Sequence, residues 1–210
     1  MKSLYGLYAI TDTHMSDDQQ LMIAVQSAID GGARVIQYRN KTLAAADKQR
    51  QAEKLLQLCQ HQGVPLVIND DVKLAKTVGA DGVHLGRDDG AIESARAQLG
   101  DNIIIGVSCY NEPQRAKTAA IAGASYIAFG AFFPSSTKPN APKATLELLK
   151  WAKQELNIPV VAIGGVTPQN GASLVDSGAD MLAVIQGVFG HKDICAAAQS
   201  YTNLFSRAPS

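Results

Sequence analysis

A small-residue turn recurs along the chain, at Gly32-Ala33, Gly79-Ala80-Asp81, Gly123-Ala124-Ser125 and Gly178-Ala179-Asp180. Each turn stands between a segment of helical periodicity and a short apolar run. Glycine ends a helix at low cost because it accepts positive φ, and the small alanine lets the chain turn tightly into a sheet. The turn precedes every second strand, so a repeated two-strand unit is expected. Strands are expected at 6–12, 35–40, 65–69, 82–85, 103–109, 126–130, 160–164 and 181–186. Helices are expected at 18–30, 43–61, 71–78, 91–99, 112–122, 144–156, 168–176 and 194–205. Strand-then-helix alternation implies parallel pairing, and strands that are apolar throughout imply cover on both faces. The reading is an α/β fold, a (β/α)8 TIM barrel forming one domain over residues 1–210. The alternative, an open doubly wound sheet, lacks its GxGxxG after the first strand.

At 210 residues such a domain buries enough apolar surface to need neither disulfides nor a structural metal. The three cysteines, Cys59, Cys109 and Cys195, lie far apart and lack CxxC spacing, so reduced thiols are expected. Basic and acidic side chains balance at 19 each, with no basic stripe and no long apolar run. Neither nucleic acid nor a membrane is therefore an expected partner, and any anion site must be local. The absence of an apolar leader between Met1 and Asp12 points to a cytoplasmic protein, and a homo-oligomer is compatible with the sequence.

Chemistry-bearing residues gather at the expected C-terminal ends of strands, where barrels of this kind place their active sites. Ile68 is followed by Asn69-Asp70-Asp71, and His84-Leu85 by Gly86-Arg87-Asp88-Asp89. If those two strands are neighbours, Asp70 and Asp89 converge and can hold a hard cation such as Mg2+. The structural alternative is that Asp70 or Asp71 caps the next helix. In the second strand, Gln37, Arg39 and Lys41 recur at period two and share a face, so two cations would line the mouth and attract a polyanion. Their structural alternative is pairing with nearby aspartates.

The loop Phe133-Pro134-Ser135-Ser136-Thr137-Lys138 offers three hydroxyls and an ammonium, which suit a phosphate, although on composition alone a solvated surface turn is the leading reading. Gly164-Gly165 leaves bare backbone after the seventh strand, near the usual phosphate site of this architecture. His84 is expected to be a hydrogen-bonded interior histidine. Ser108 ends the fifth strand facing the mouth, and no histidine and carboxylate are spaced with it to suggest a hydrolytic triad.

These segments, taken in order, resemble the thiamine phosphate synthase family over nearly the whole chain. The matching stretches are Gln37, Arg39 and Lys41; Ile68-Asn69-Asp70; His84 to Asp89; Gly106-Val107-Ser108; Gly123 to Gly130; Phe133 to Lys138; and Ala162 to Gly165. The resemblance implies a transferase that joins hydroxymethylpyrimidine diphosphate to a thiazole phosphate, with Mg2+ as cofactor and pyrophosphate as leaving group. It implies a substrate-binding stretch Gln37-Tyr38-Arg39-Asn40-Lys41, joined by Asn69 and Ser108 toward the pyrimidine diphosphate. Asp70 and Asp89 would hold Mg2+, and Lys138 the pyrophosphate, with Arg39, Lys41, Ser108 and Lys138 carrying catalysis. Ser135, Ser136, Thr137, Gly165, Ile185 and Gln186 would hold the thiazole phosphate. The chain departs from the family pattern with Ser135 for a threonine, Arg87 for a glutamine and Gln186 for a serine.

Two other functions fit such a barrel. A thiazole tautomerase would need a histidine base after the fifth strand, where this chain has Tyr110. A non-catalytic ligand-binding barrel would have no use for two converging carboxylates.

Overall fold

The structure, a computed structural model, describes residues 4–134 and 143–206. Eight parallel strands close into a barrel in chain order, each hydrogen-bonded to the next and the eighth to the first. The strands are β1 (Gly6–Ile10), β2 (Ala33–Tyr38), β3 (Leu66–Asn69), β4 (Gly82–Leu85), β5 (Ile104–Tyr110), β6 (Tyr126–Phe129), β7 (Val160–Ile163) and β8 (Met181–Val184). Between and after them run α1 (Asp18–Asp30), α2 (Ala45–His61), α3 (Val72–Val78), α4 (Ile92–Leu99), α5 (Pro113–Ile121), α6 (Leu146–Glu155), α7 (Gly171–Asp176), α8 (Gln186–Phe189) and α9 (Ile194–Thr202).

Strand alternation divides the core in two. Leu7, Ala9, Ile36, Leu66, Ile68, Val83 and Leu85 face outward and pack beneath the helices. Tyr8, Ile10, Val35, Val67, Tyr126, Val161 and Met181 fill the barrel interior. The apolar-throughout strands are thus buried on both faces, as the sequence predicts.

The recurring turn has a function in the sheet that its composition does not announce. After three of the glycine-alanine pairs the next side chain reaches back to the first or second amide of the preceding strand. Asp81 Oδ2 accepts from Leu66 N at 2.9 Å, Ser125 Oγ from Ile105 N at 3.0 Å and Asp180 Oδ2 from Val160 N at 2.9 Å. Buried amides at strand starts need such partners. One even-numbered strand thereby fixes the start of its odd-numbered neighbour, which explains why the motif recurs every second strand.

Helix starts follow the expected chemistry at Asp17, Asp71, Thr145 and Asp193, whose side chains each accept an amide of the first turn. The outer face of β2 is anchored by Tyr38, whose hydroxyl donates to Gln51 Oε1 at 2.8 Å. Gln51 in turn donates to Asp18 at 3.1 Å, and Asp18 accepts from Arg50 and Lys54. Those hydrogen bonds hold the Asp18 carboxyl well below the usual carboxylate range. A depressed acid stabilises the fold above its unfolded value, about 3.9, and this contribution is lost as pH falls through the folded value. Asp18→Asn is therefore expected to lower the melting temperature at pH 7, by at most about 1 kcal/mol of stability for so exposed a pair of cations. The gap to the unsubstituted protein should close as the scan moves to acid pH.

Candidate active site

The C-terminal ends of the strands surround a cavity of about 1330 Å3, lined by residues from all eight strands and from several of the connections that follow them. Gln37, Arg39, Lys41, Asn69, Asp70, Asp89, Ser108, Gly165, Ile185 and Gln186 all lie on its wall. Residues from six separate strand ends thus meet at one mouth, although they span the chain from 37 to 186.

β2 ends at Tyr38, so only Gln37 of the three expected inward residues lies in the strand. Arg39 keeps the same direction because Thr11 clamps its main chain: Arg39 N donates to Thr11 Oγ1 at 2.9 Å, and Thr11 Oγ1 donates to Arg39 O at 3.2 Å. The guanidinium donates to Thr13 Oγ1 at 3.0 Å, and among the described residues no ion pair involves Arg39. Lys41 does pair with Asp70, at 3.5 Å. Both side chains are partly open to solvent, so this pair contributes little to stability. Of the expected substrate-binding stretch, Tyr38 does not line this cavity, whereas Asn40 borders an adjoining pocket with Lys41, Asn69, Asp70 and Asp89. Alternation turns Tyr38 outward to Gln51, and the Asn40 side chain accepts from Thr42 N and Leu43 N at 3.0 Å each, closing the turn into α2.

The two neighbouring aspartates after β3 take different roles. Asp71 Oδ1 accepts from Leu74 N at 2.8 Å and caps α3. Asp70 adopts φ 65 and its amide donates to His84 O at 2.8 Å, which turns its carboxylate into the mouth. There it meets Asp89 across the adjoining β3 and β4 ends. Asp89 also accepts from Gly86 N at 2.6 Å, which folds the segment after β4 back on itself. Burial pushes the Asp70 carboxyl up, its hydrogen bond and charge contact with Asp89 push it further, and Lys41 and Asn69 oppose them. Two carboxylates that disfavour each other's charge are a fitting place for a cation. Among the described residues no group of three or more His, Cys, Asp or Glu could hold a metal ion. A two-carboxylate arrangement suits Mg2+, which takes one or two protein carboxylates and completes its shell with water and substrate phosphate.

β5 delivers Ser108 and then bulges, its register to β6 slipping between Ser108 and Tyr110. Tyr110 adopts φ 56 and lines the cavity, with the Arg87 guanidinium 4.9 Å from its ring centroid. Arg87 also donates to Glu112. Arg115 ties the two strand ends together, donating to Ser108 O at 2.8 Å and to Gly86 O at 3.0 Å. Cys109 points outward, and burial pushes its thiol up to about 12, so it is no nucleophile.

The opposite wall carries the glycines after β7. Gly164 and Gly165 have φ of 100 and 63, and a Cβ on Gly165 would stand 2.4 Å from Pro134 O. Glycine is required there by close packing of the β6 and β7 connections. β8 stops at Val184, two residues short of the expected end at 186, and Gln186 opens α8. A short extra helix after the eighth strand is a recurrent part of phosphate sites in such barrels. The Gln186 side chain donates to Asp12. Ser135, Ser136, Thr137 and Lys138 lie outside the described residues.

The family model described as thiamine monophosphate synthase matches residues 7–188. The chain belongs to that family. A thiamine-phosphate synthase of Nitrosococcus oceani is 50% identical over 203 residues, covering 97% of this chain and 94% of the relative. One of Azoarcus sp. is 50% identical over 201 residues, covering 96% and 97%. A solved thiamine phosphate pyrophosphorylase from Pyrococcus furiosus superposes with a TM-score of 0.88 at 33% identity, covering 98% of this chain and 97% of that one. Membership in the thiamine monophosphate synthase family makes the chain a transferase of thiamine biosynthesis, in agreement with the resemblance read from its motifs.

Within that family's barrel, several residues of the mouth escape sequence reasoning. Thr11, Thr13 and Arg115 act through contacts with main chain or side chains 26 or 28 and 7 or 29 positions away, for which composition offers no sign. Tyr8 and Tyr126 did leave a sign. Each is a tyrosine at an inward position of an apolar strand, and a buried phenol needs a hydrogen-bond partner.

Proposed function

We propose that this chain joins hydroxymethylpyrimidine diphosphate to hydroxyethylthiazole phosphate, giving thiamine phosphate and pyrophosphate, with Mg2+ held by Asp70 and Asp89. The observation that carries this reading is the meeting of that carboxylate pair with Arg39 and Lys41 at a single mouth. The names of the close relatives support the same substrates.

The reaction breaks the carbon–oxygen bond between the pyrimidine methylene and the diphosphate, with the electron pair leaving on pyrophosphate. The carbon–nitrogen bond then forms from the lone pair of the thiazole nitrogen. No proton has to move and no side chain has to attack. When bound, Mg2+ would supply positive charge to the departing diphosphate. Arg39, oriented by Thr13, and Lys41 place fixed positive charge beside the same oxygens, and Lys138 is assigned there by resemblance. Ser108 and Gln37 line the cavity where the pyrimidine ring would lie, while Gly165, Ile185 and Gln186 line the wall assigned to the thiazole phosphate. Enclosing both partners raises their effective concentration and keeps water from the cation formed on the pyrimidine methylene. Arg87, engaged with Glu112 and Tyr110, stays on the rim.

The direct test is incubation of the purified protein with both substrates and Mg2+. Equimolar thiamine phosphate and pyrophosphate are expected, and chelation of the metal should stop both. Pyrophosphate without thiamine phosphate would make the chain a diphosphatase. Proton exchange on the thiazole without the pyrimidine would favour the tautomerase.

A further inference from the structure

Five polar side chains from five strands form one line of hydrogen bonds inside the barrel. Gln37 Nε2 donates to the Tyr8 hydroxyl at 2.6 Å, and the Tyr8 and Tyr126 hydroxyls are 2.7 Å apart. The Tyr126 hydroxyl lies 3.0 Å from His84 Nδ1, and His84 Nε2 lies 2.8 Å from Ser108 Oγ. Gln37 and Ser108, the two ends, both line the cavity. Space for the line is made by Gly106, where a Cβ would stand 2.0 Å from the Tyr126 ring.

A line of this kind has a direction, because each hydroxyl has a single proton to give. Tyr8 and Tyr126 are almost wholly buried, and burial raises both phenols far enough that each keeps its proton. Tyr8 accepts from the Gln37 amide, and among the described hydrogen bonds the Tyr126 oxygen is the one acceptor for its own proton, which sets the direction from Tyr8 to Tyr126. Tyr126 then directs its proton to His84 Nδ1. The imidazole is thereby the Nε2–H tautomer and donates to Ser108 Oγ. Within the line the Ser108 proton has no acceptor, so it turns to the cavity. At the other end, Gln37 Nε2 gives one of its two N–H groups to Tyr8, so the amide keeps its second N–H and the acceptor Oε1. Neighbouring bonds polarise one another in the same sense, which reinforces the direction.

We propose that the line Gln37–Tyr8–Tyr126–His84–Ser108 is a polarised hydrogen-bond relay that holds the Ser108 hydroxyl as a donor toward a ring nitrogen of the pyrimidine, with Tyr8, Tyr126 and His84 as positioning residues. The identity of the ligand rests on the function proposed above; the direction of the relay does not. Reversing the direction would flip the Gln37 amide, move the imidazole proton to Nδ1 and make Ser108 an acceptor.

The relay is read without ligand by long-range 1H–15N NMR of the histidine rings in uniformly 15N-labelled protein, with His84 assigned by the signals lost in His84→Gln. Protonation of His84 at Nε2 alone is expected; protonation at Nδ1, or at both nitrogens, overturns the proposal whatever the substrate is. Kinetics test the link to Ser108. Tyr126→Phe should raise KM for the pyrimidine diphosphate by about tenfold, the size of one hydrogen bond, and leave KM for the thiazole phosphate unchanged. In a Ser108→Ala background the same substitution should add nothing, because Tyr126 acts through Ser108. Additive losses in the double variant would make Tyr126 merely structural and overturn the positioning role.

Discussion

Asp70→Asn is expected to lower kcat by about 10^2- to 10^3-fold, the range seen when one transition-state charge partner is removed, while the fold survives. Asparagine is the informative substitution. It keeps the shape of the side chain and tolerates the left-handed backbone at φ 65, whereas alanine would add strain to the loss of the ligand. The stability prediction runs the opposite way from the activity. Burial and the neighbouring Asp89 raise the Asp70 carboxyl in the folded chain. An acid raised above its unfolded value, about 3.9, makes the fold less stable as pH climbs through the interval up to its folded value, and the deficit persists above it. Without metal at pH 7, Asp70→Asn should therefore melt no lower than the unsubstituted protein. Added Mg2+ should raise the melting temperature of the unsubstituted protein, by an amount equivalent to about 2.7 kcal/mol at a hundred times its Kd, and leave the variant unmoved. An equal shift in both proteins would remove Asp70 from the metal site. Asp71→Asn provides the contrast, because Asp71 caps α3 and asparagine caps nearly as well.

The regular part of the fold is legible because its signals are local. β4 falls on residues 82–85 and α1 on residues 18–30, as the turn residues and apolar periodicity predict. α8 is not legible: four residues, Gln186 to Phe189, are too few for a helical period to develop, and the sequence reads there as a strand continued. At the site, Asp70 and Asp71 are indistinguishable by residue type, and only the left-handed backbone at Asp70 separates the carboxylate that enters the mouth from the one that caps a helix. Tyr38 belongs to the motif but turns away from the mouth, since a motif spans both faces of a strand end. The interior relay is the least legible feature. Tyr8 and Tyr126 are 118 positions apart, and their contact exists only once the barrel has closed.

The central claim is that the mouth works by stabilising departing charge, with no side chain attacking carbon and none exchanging protons. The residues around the strand ends agree: Asp70 and Asp89 face each other, His84 is engaged with Tyr126 and Ser108, and the neighbouring Cys109 thiol is turned outward and raised to about 12. Bond breaking then depends on how well the aminopyrimidine carries positive charge at its methylene. Replacing the ring methyl by trifluoromethyl withdraws electrons from that cation, and each 1.4 kcal/mol of destabilisation slows the step about tenfold. The measurement is the rapid-quench single-turnover rate with this analogue at saturating thiazole phosphate and Mg2+. The rate is predicted to fall steeply while pyrophosphate and the thiamine phosphate analogue still form in equal amounts; a rate nearly unchanged from that of the natural pyrimidine would contradict the account and require the thiazole nitrogen to attack before pyrophosphate leaves.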